Sequence, residues 1–395
     1  MKNSAALLKV NMMRQTPPRV LLALGWYDYR LHRGIEQYAQ EHRWHLCADV
    51  TREKIIPWGW DGDGILAWLG AGDELAEFVR TAQKPTVDFS FRRPELKFPR
   101  VLVDHAAVAR LAAEHFLARG FRHFAYYSDA DNWAFEETGR GFVAALEAAG
   151  RSCVWLRWHR SPDFTAGRLQ WQRKRRWLAA ALKSLPQPLA VFTANDPHAL
   201  EVLESCERAG LPVPEAVSLI GVDNSLLAVE AMDTPISSVD TNLEMVGYRG
   251  AACLDRLMSG QFLPPQPVRI PPRALITRRS SDAWAVNHPG VARCLKFIRE
   301  NFARPIGVED LASAAGMSRR GLHDAFLQHI GWGPGEELHR VRIHRARELL
   351  ANPEHKVEFI AGQCGFHNTN SFGVAFKKAV GLAPKQYRAL VCHRA

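Results

Sequence analysis

The stretch that decides the fold of the C-terminal part is VEDLASAAGMSRRGLHDAFLQHIG, residues 308–331. Its apolar spacing predicts a helix, a turn at Gly316, and a second helix that begins after Ser318, a residue type that caps helix N-termini. In the second helix Leu322 and Phe326 follow the i, i+4 spacing of a buried face. The stretch therefore predicts a helix-turn-helix unit whose second helix packs inward on one face and is exposed on the other.

The same pattern recurs about fifty residues later as VEFIAGQCGFHNTNSFGVAFKKAVG, residues 357–381. Here the predicted inward residues are Phe372, Ala375 and Phe376. Between the two copies, ELHRVRIHRARELLAN predicts one connecting helix that would hold the two second helices at a fixed separation. This internal repeat predicts an all-α domain with two helix-turn-helix units.

The outward faces of the two second helices carry candidate DNA contacts. A helix presented in this way fits the major groove, where arginine pairs with guanine and asparagine with adenine. Arg320 and Asn370 are the first candidates for base contacts. Secondary candidates, which could equally contact phosphate, are Arg319, His323 and Thr369. Residues 288–395 also hold sixteen Lys and Arg against nine Asp and Glu, a balance that suits a phosphate backbone and equally suits a solvated surface.

The segment GWGPGEELHRVRIHRARELL, followed by IAGQCGFHNTNSFGVAFKKAVGLAPKQYR, resembles the signature of the AraC family over roughly residues 289–388. That resemblance implies contacts with two successive major-groove segments on one face of DNA. Residues to which we assign a structural role in turns and core are Gly316, Gly365, Phe366, Phe372, Phe376 and Pro384. Positions where relatives often have larger or basic side chains are Gly321, Asp324, Gly373 and Val374. Direct base reading is therefore expected to rest on few residues.

The N-terminal part alternates short apolar runs with amphipathic segments from Arg19 to about Leu219. This alternation predicts parallel strands joined by helical crossovers, with helices on both faces and ligands at the carboxyl ends of the strands. After it, FLPPQPVRIPPRALITRRSSD predicts a terminal strand that runs into a linker. The predicted domains are an N-terminal tail over 1–18, an effector domain over 19–280, a linker over 281–287 and a DNA-binding domain over 288–395.

Three motifs in order, FTANDPHAL, SLIGVDN and TPISSVDTN, resemble the periplasmic-binding-protein-like effector domain of LacI-type regulators. With an AraC-type module behind it, the whole chain resembles the regulators of xylose operons. The resemblance implies an α/β fold, namely a two-lobed effector domain of doubly wound parallel sheets followed by the all-α domain. It also implies three partners: double-stranded operator DNA, a small sugar such as D-xylose or a related pentose, and a second copy in a homodimer. At one point the chain departs from its relatives, because Thr138 stands where they often carry arginine.

Candidate sugar ligands follow the apolar strands. A sugar presents several hydroxyls, so its site needs carboxylates, amides and an aromatic plate. The candidates are Tyr27, Asp28, Asp104, Trp133, Asn195, Asp196 and Asp223. Each Asp or Asn after a strand is alternatively the cap of the next helix, and each aromatic is alternatively core. The resemblance favours Asp223 and Asn195 as ligands, and Asp196 is the better candidate for a cap.

Other functional classes find little support in the sequence. No apolar run reaches the ~20 residues of a membrane span and no signal peptide is evident, so we expect a cytoplasmic protein with no membrane partner. We expect no catalytic residues, no cofactor and no metal site, since His339 and His344 lie at i, i+5, and the cluster of His42, His45 and Cys47 is weak evidence. The seven cysteines are expected to be reduced and mostly packed. The alternatives left open are an AraC-type regulator that senses a different polyol, a DNA-repair methyltransferase with a reactive cysteine, and an architectural DNA-binding protein. Cys364, between helices of the second repeat, is better interpreted as a packing residue than as such a cysteine.

Overall fold

The computed structural model describes most of the chain, and the descriptions below refer to those residues. They are residues 16–48, 50, 55–70, 72–161, 164, 170–225, 229, 233–264, 266–286, 288–350 and 355–392. Most of the predicted N-terminal tail, residues 1–15, and residue 287 of the predicted linker lie outside them. Within the described part no helix is both long and apolar enough to cross a bilayer.

The chain divides into two compact units. The first contains residues 1–115 and 123–282, and the second contains 116–122 and 283–395. Ser281, which the sequence analysis placed in the linker, is fully buried and donates its hydroxyl to Ser237 Oγ over 2.8 Å. The boundary therefore falls between Asp282 and Ala283, because the serines at the end of the first unit are bonded into its sheet.

The first unit holds twelve strands and seven helices among its described residues. The strands are β1 Arg19–Leu24, β2 His45–Cys47, β3 Gly64–Trp68, β4 Thr86–Asp88, β5 Val101–Val103, β6 His123–Ser128, β7 Val154–Arg157, β8 Leu189–Thr193, β9 Val217–Val222, β10 Ser237–Asp240, β11 Val268–Ile270 and β12 Ala274–Ile276. The helices are α1 Tyr29–Glu41, α2 Asp73–Thr81, α3 His105–Ala118, α4 Trp133–Ala148, α5 Gln170–Ser184, α6 Asp196–Ala209 and α7 Leu243–Met258.

The strands form two main sheets, one in each lobe. In the N-terminal lobe the order is β2-β1-β3-β4, and all pairs are parallel. In the C-terminal lobe the order is β12-β10-β9-β8-β6-β7, and only the pair β10–β12 is antiparallel. The remaining strands, β5 and β11, pair with each other. The predicted doubly wound, two-lobed architecture is confirmed.

The central strands are buried on both faces, as their nearly unbroken apolar composition requires. All six residues of β9 and all five of β8 are buried. The sequence analysis did not predict β2 or β7. Both are short strands at a sheet edge, where a strand buries less and shows a weaker apolar pattern.

The described residues of the second unit fold into seven helices. They are α8 Pro289–Asn301, α9 Val308–Ala315, α10 Arg319–His329, α11 Pro334–Leu350, α12 Val357–Gln363, α13 Thr369–Val380 and α14 Pro384–Cys392. Ala285 donates its N–H to the carbonyl of Arg119 over 3.0 Å, which ties residues 116–122 to this unit. The predicted all-α domain is confirmed, and the predicted connecting helix is α11.

Candidate effector site and DNA-binding interface

Two of the predicted ligand residues, Asp28 and Asp223, are brought together by Arg30. Asp28 caps α1, because its side chain accepts the N–H of Arg30 over 2.9 Å. The same carboxylate pairs with the Arg30 guanidinium over 2.8 Å, and that guanidinium donates to the backbone carbonyl of Asp223. The Asp28–Arg30 ion pair thus links α1 of the N-terminal lobe to the end of β9 in the C-terminal lobe. Arg30 was missed by the sequence analysis, although it completes the quoted motif WYDYR.

The Asp223 carboxylate is held in a strained and partly buried position. Its backbone φ is +96°, a conformation that non-glycine residues rarely adopt and that clusters at ligand clamps and active sites. Thr241 donates its hydroxyl to Asp223 Oδ1 over 3.2 Å. Burial raises the pKa of Asp223 to about 6, against the lowering effect of the Arg30 charge. Such a carboxylate has unused acceptor capacity for sugar hydroxyls.

Asn195 caps the helix after β8, although the sequence analysis favoured its neighbour Asp196 for that role. Asn195 caps α6, and its Oδ1 accepts the N–H of His198 over 2.9 Å. Asp196 is fully buried and accepts the hydroxyl of Ser238 over 2.6 Å and the N–H of Ser225 over 2.7 Å. The cap belongs to the last residue with extended backbone, and that residue is Asn195. Asp196 instead accepts hydrogen bonds from the segment after β9 and from β10 itself. Burial, and after it the charge of Asp223, raises the pKa of Asp196 to about 7.

Trp133 belongs to an aromatic cluster between a loop and two helices. It is the first residue of α4, and its ring lies edge-on to His105 of α3 at 5.2 Å and to Phe91 at 6.1 Å between ring centroids. Thr138 shares a 3.1 Å hydrogen bond with His105 Nδ1. Burial lowers the pKa of His105 to about 4, so this imidazole is neutral at neutral pH. Thr138 and His105 therefore form a neutral hydrogen-bonded pair beside Trp133.

Tyr27 and Asp104 are placed less tightly. The Tyr27 side chain is 45% exposed and its hydroxyl lies 3.2 Å from His32 Nδ1. Asp104 follows β5 and accepts the N–H of Ala107 over 2.9 Å, the geometry of a helix cap at the start of α3. The second carboxylate oxygen of Asp104 takes no part in this cap.

A buried carboxylate that the sequence analysis missed lies at the end of β4. Asp88 is fully buried, and its Oδ1 accepts the N–H of Ser90 over 2.9 Å. Its Oδ2 has no hydrogen-bond partner among the described residues and lies 3.6 Å from Arg100 Nε. Burial raises the pKa of Asp88 to about 6. The signal was available in the motif KPTVDFS, where an aspartate ends an apolar strand.

The first helix-turn-helix unit has the predicted anatomy. Helix α9 ends at Gly316, whose φ of +66° is the left-handed conformation that glycine adopts at no steric cost. Ser318 caps α10 by accepting the N–H of Gly321 over 3.1 Å. Leu322 and Phe326 are fully buried in the core of this unit, as predicted.

The predicted contact residues of α10 are all exposed. Arg320 is 94% exposed, with Asp324 at 4.0 Å, so its guanidinium is essentially in water. Arg319 pairs with Glu309 over 2.7 Å at the start of the same helix. His323 is exposed one residue beyond the buried Leu322. Of these three, Arg320 is the side chain that can most readily reach a base, because breaking its contact costs little.

The second helix-turn-helix unit repeats this arrangement. Asn368, which the sequence analysis did not single out, caps α13 by accepting the N–H of Ser371 over 2.8 Å. Thr369 and Asn370 are the first two residues of α13 and are both exposed. The inward residues of this unit, Phe372 and Phe376, are fully buried. Both recognition helices therefore present their amino-terminal ends to solvent, where major-groove contacts form.

A buried arginine of the connecting helix ties the two helix-turn-helix units together. Arg342 of α11 donates to the carbonyls of Phe302 and Arg304, each over 2.8 Å. Gly365, in the turn of the second unit, has φ +71°, and a Cβ there would lie 2.2 Å from the Phe302 carbonyl oxygen and 2.9 Å from Arg342 Nε. The connection after α8 and the turn between α12 and α13 therefore meet at Arg342. This contact fixes the position of the two helix-turn-helix units relative to each other.

The residues considered for metal binding and thiol chemistry have ordinary structural environments. Across the described parts of the chain, no group of three or more His, Cys, Asp or Glu side chains is arranged to hold a metal ion. His42 stacks on Tyr38 at 3.9 Å between ring centroids. Cys364 is fully buried in the core of the second helix-turn-helix unit, where a thiol is shielded from reaction.

Comparison with known proteins agrees with this anatomy. A model of the periplasmic binding protein-like domain matches residues 113–281, and a model of the helix-turn-helix domain matches residues 311–390. The xylose operon regulatory protein of Escherichia coli strain K12 is 27% identical over 376 residues, which cover 92% of this chain and 94% of that protein. The corresponding protein of Haemophilus influenzae is 26% identical, over 92% of this chain and 95% of its own. The chain is an AraC-type transcriptional regulator with a periplasmic-binding-protein-like effector domain.

Two solved structures and one further transcriptional activator extend the comparison. A xylose-binding transcription activator, xylR, superposes with a TM-score of 0.67 at 25% identity and covers 96% of this regulator and 99% of that chain. A regulator in complex with cellobiose, CelR, has a TM-score of 0.52 at 22% identity over 70% of this regulator and 89% of that chain, which supports the fold alone. The transcriptional activator RhaS of Salmonella schwarzengrund is 32% identical over 116 residues, covering 29% of this regulator and 42% of RhaS.

Proposed function

We propose that this regulator senses a small sugar, D-xylose or a related pentose, between the two lobes of its effector domain. The sugar would control the binding of the two helix-turn-helix units to operator DNA. The single observation that carries the proposal is the similarity to xylose operon regulatory proteins over 92% of the chain, which includes both domains.

The polar groups at the strand ends support a sugar as the ligand. Asp223 offers a carboxylate at the end of β9, and Arg30, paired with Asp28 of the other lobe, donates to the Asp223 backbone carbonyl. Trp133, the first residue of α4, offers an aromatic surface. A sugar needs this combination, because its hydroxyls donate to carboxylates while its C–H faces pack on rings.

Thr138 bears on which sugar fits. Where relatives often place an arginine, this regulator has a hydroxyl that is 2% exposed and bonded to His105. A neutral pair cannot give a charged hydrogen bond, so one charge-assisted contact to the ligand is absent. We therefore expect the order of preference among pentoses to differ from that of relatives that keep the arginine.

Isothermal titration calorimetry tests the proposal directly. We expect the wild-type regulator to bind D-xylose or another pentose from a panel of D-xylose, L-arabinose, D-ribose and D-glucose. Asp223→Ala should weaken this binding by about 1.5–3 kcal/mol, because a carboxylate that accepts hydroxyls is lost. Asp233→Ala, at an exposed position of the same lobe, is the matched control and should bind as the wild type does. If no sugar of the panel binds the wild type, the proposal of a sugar sensor is wrong.

We also propose that the regulator acts as a homodimer, because closed two-fold assemblies are the commonest among soluble oligomers and match DNA sites with repeated half-sites. Sedimentation velocity at micromolar concentration should give the mass of two chains. A single species at the mass of one chain, with and without DNA, would exclude this.

A further inference from the structure

The second recognition helix exposes an apolar side chain at the centre of its outward face. Val374 of α13 is 70% exposed, while Phe372 and Phe376, on the opposite face, are fully buried. Val374 makes no contact that the fold of its own unit requires, because the core of that unit is built from the other face. A single exposed valine on a surface is unremarkable by itself. Its neighbour supplies the second observation.

That neighbour, Gly373, lies in the middle of α13, where glycine destabilises a helix relative to alanine. A Cβ built on Gly373 meets no atom within 4 Å, so nothing inside the chain excludes a side chain there. Two other helical glycines, by contrast, have a packing reason within the chain. A Cβ at Gly139 would lie 2.4 Å from the Trp155 ring, and one at Gly250 would lie 2.1 Å from Phe89. The missing side chain at Gly373 therefore leaves room for something outside the chain.

The surroundings of this Gly–Val step identify the occupant. Asn370 and Lys377 lie on the same face of α13, three residues before Gly373 and three residues after Val374, and both are exposed. Lys378 is exposed beside them. A face with an amide and lysines around an apolar centre complements the major groove, which is lined by phosphates and whose one apolar group is the thymine methyl.

We propose that Gly373 and Val374 form an apolar seat for a thymine methyl group in the DNA segment bound by α13. Gly373 lets the base edge come close to the helix backbone, and the Val374 side chain packs on the methyl group. Specificity in this segment then comes from shape and methyl contact as well as from hydrogen bonding by Asn370. The proposal rests on DNA binding by the regulator and adds the base that this helix reads.

The first experiment removes the methyl groups one at a time. A duplex is selected by the full-length wild-type protein from a pool of random sequence, and each thymine in it is replaced by deoxyuridine. We expect one thymine in the segment protected by α13 to lose about fourfold in affinity for the wild type, the weight of one buried methyl group. Val374→Ala should bind the thymine and deoxyuridine forms of that site equally. Val308→Ala, at a 36% exposed valine outside both recognition helices, should keep the difference.

The second experiment separates DNA contact from folding. Gly373→Ala should leave the midpoint of thermal unfolding unchanged or higher, because alanine favours the helix, while affinity for the selected duplex falls at least fourfold. Gly362→Ala is the matched control, since a Cβ at this exposed glycine of α12 also meets nothing within 4 Å. The control should gain stability without losing affinity.

The outcomes distinguish the possible failures. If the wild type selects no duplex, DNA binding itself is refuted and the proposal falls with it. If a duplex is selected but no thymine in the α13 segment responds to loss of its methyl, or if Val374→Ala keeps the full response, the methyl seat is refuted alone. Wild-type affinity in Gly373→Ala, or an equal loss in both glycine variants, would refute the close approach.

Discussion

At the residue scale, the residues proposed to bind the sugar and the DNA lie in opposite kinds of environment. Asp223 is partly buried, bonded and strained, whereas Arg320 is almost entirely in water. A carboxylate held in place by the fold can accept hydroxyls without reorganisation. Burial of the same carboxylate raises its pKa. An exposed arginine keeps its full hydration until DNA replaces the water. The two residues therefore predict different measurable signatures.

Binding of the sugar should depend on pH through Asp223. The hydroxyls of the sugar donate to the carboxylate, so binding favours the deprotonated form, and affinity must fall as pH drops through the folded pKa of about 6. Between pH 7 and pH 5 we expect a loss of about tenfold in affinity, measured by calorimetry. Asp223→Asn has no titrating carboxyl at this position and should lose this step. An unchanged pH profile in that variant would assign the step to Asp88 or Asp196, whose pKa values are also raised.

Arg320→Ala should weaken binding to the selected duplex by about 1–3 kcal/mol and relax the preference at one base pair. Sugar affinity should be unchanged, because Arg320 and Asp223 belong to different units. Electrophoretic mobility shifts with single-base variants of the duplex measure this. Lys296→Ala, a change at an exposed position of α8, serves as the control. A uniform loss across all sequences, with a smaller salt dependence, would make Arg320 a phosphate contact instead.

At the scale of the elements, the two helix-turn-helix units have the same plan and differ in how tightly their turns are packed. Both turns need a left-handed glycine, at Gly316 and Gly365. Around Gly316 the nearest atom to an added Cβ is Arg293 Nη2 at 3.4 Å, whereas at Gly365 the Phe302 carbonyl oxygen lies at 2.2 Å. The second turn is therefore packed tightly against Phe302 and against Arg342 of the connecting helix, and the first turn has no neighbour as close.

This difference predicts unequal effects of the same substitution. Gly316→Ala should lower the free energy of unfolding by about 1–2 kcal/mol, the cost of a left-handed conformation for a residue with a Cβ. Gly365→Ala should cost about 1–3 kcal/mol more, because the added methyl also displaces Phe302 or Arg342. Urea denaturation of the two variants provides the comparison. Equal losses would show that Arg342 and the Phe302 carbonyl yield easily and do not fix the two units.

At the scale of the whole molecule, the regulator couples two binding reactions through one chain. A sugar that binds the native state at one hundred times its Kd should raise the free energy of unfolding by about 2.7 kcal/mol. If the sugar changes affinity for DNA by some factor, then DNA must change affinity for the sugar by the same factor. Titration of the sugar into the free regulator and into its complex with the selected duplex measures the effect of DNA on sugar affinity. Titration of DNA with and without the sugar measures the reciprocal effect. Two unequal factors would mean that a further equilibrium, such as dimer formation, takes part.

The class of the fold and the residue types on the proposed DNA-binding face could be predicted from the sequence alone. Unbroken apolar runs indicate strands that are buried on both faces, and an i, i+3, i+4 pattern after a capping residue indicates the recognition helices. Both patterns are visible in the sequence because they depend on neighbours only a few positions away. Arg320 and Asn370 could be placed on the outward face for the same reason. The turn at Gly316 was also predicted correctly.

Only the tertiary structure decided the roles that depend on partners distant in sequence. Asn195 and Asp196 are adjacent in one motif, and which of them caps the helix depends on where the backbone turns and on Ser225 and Ser238, which bond the other. Arg30 acquires its role from Asp223, 193 positions away, and Asp88 from the fold that buries it. Burial and charges from distant parts of the chain set the pKa of a carboxylate, and neither can be predicted from the residues next to it in the sequence.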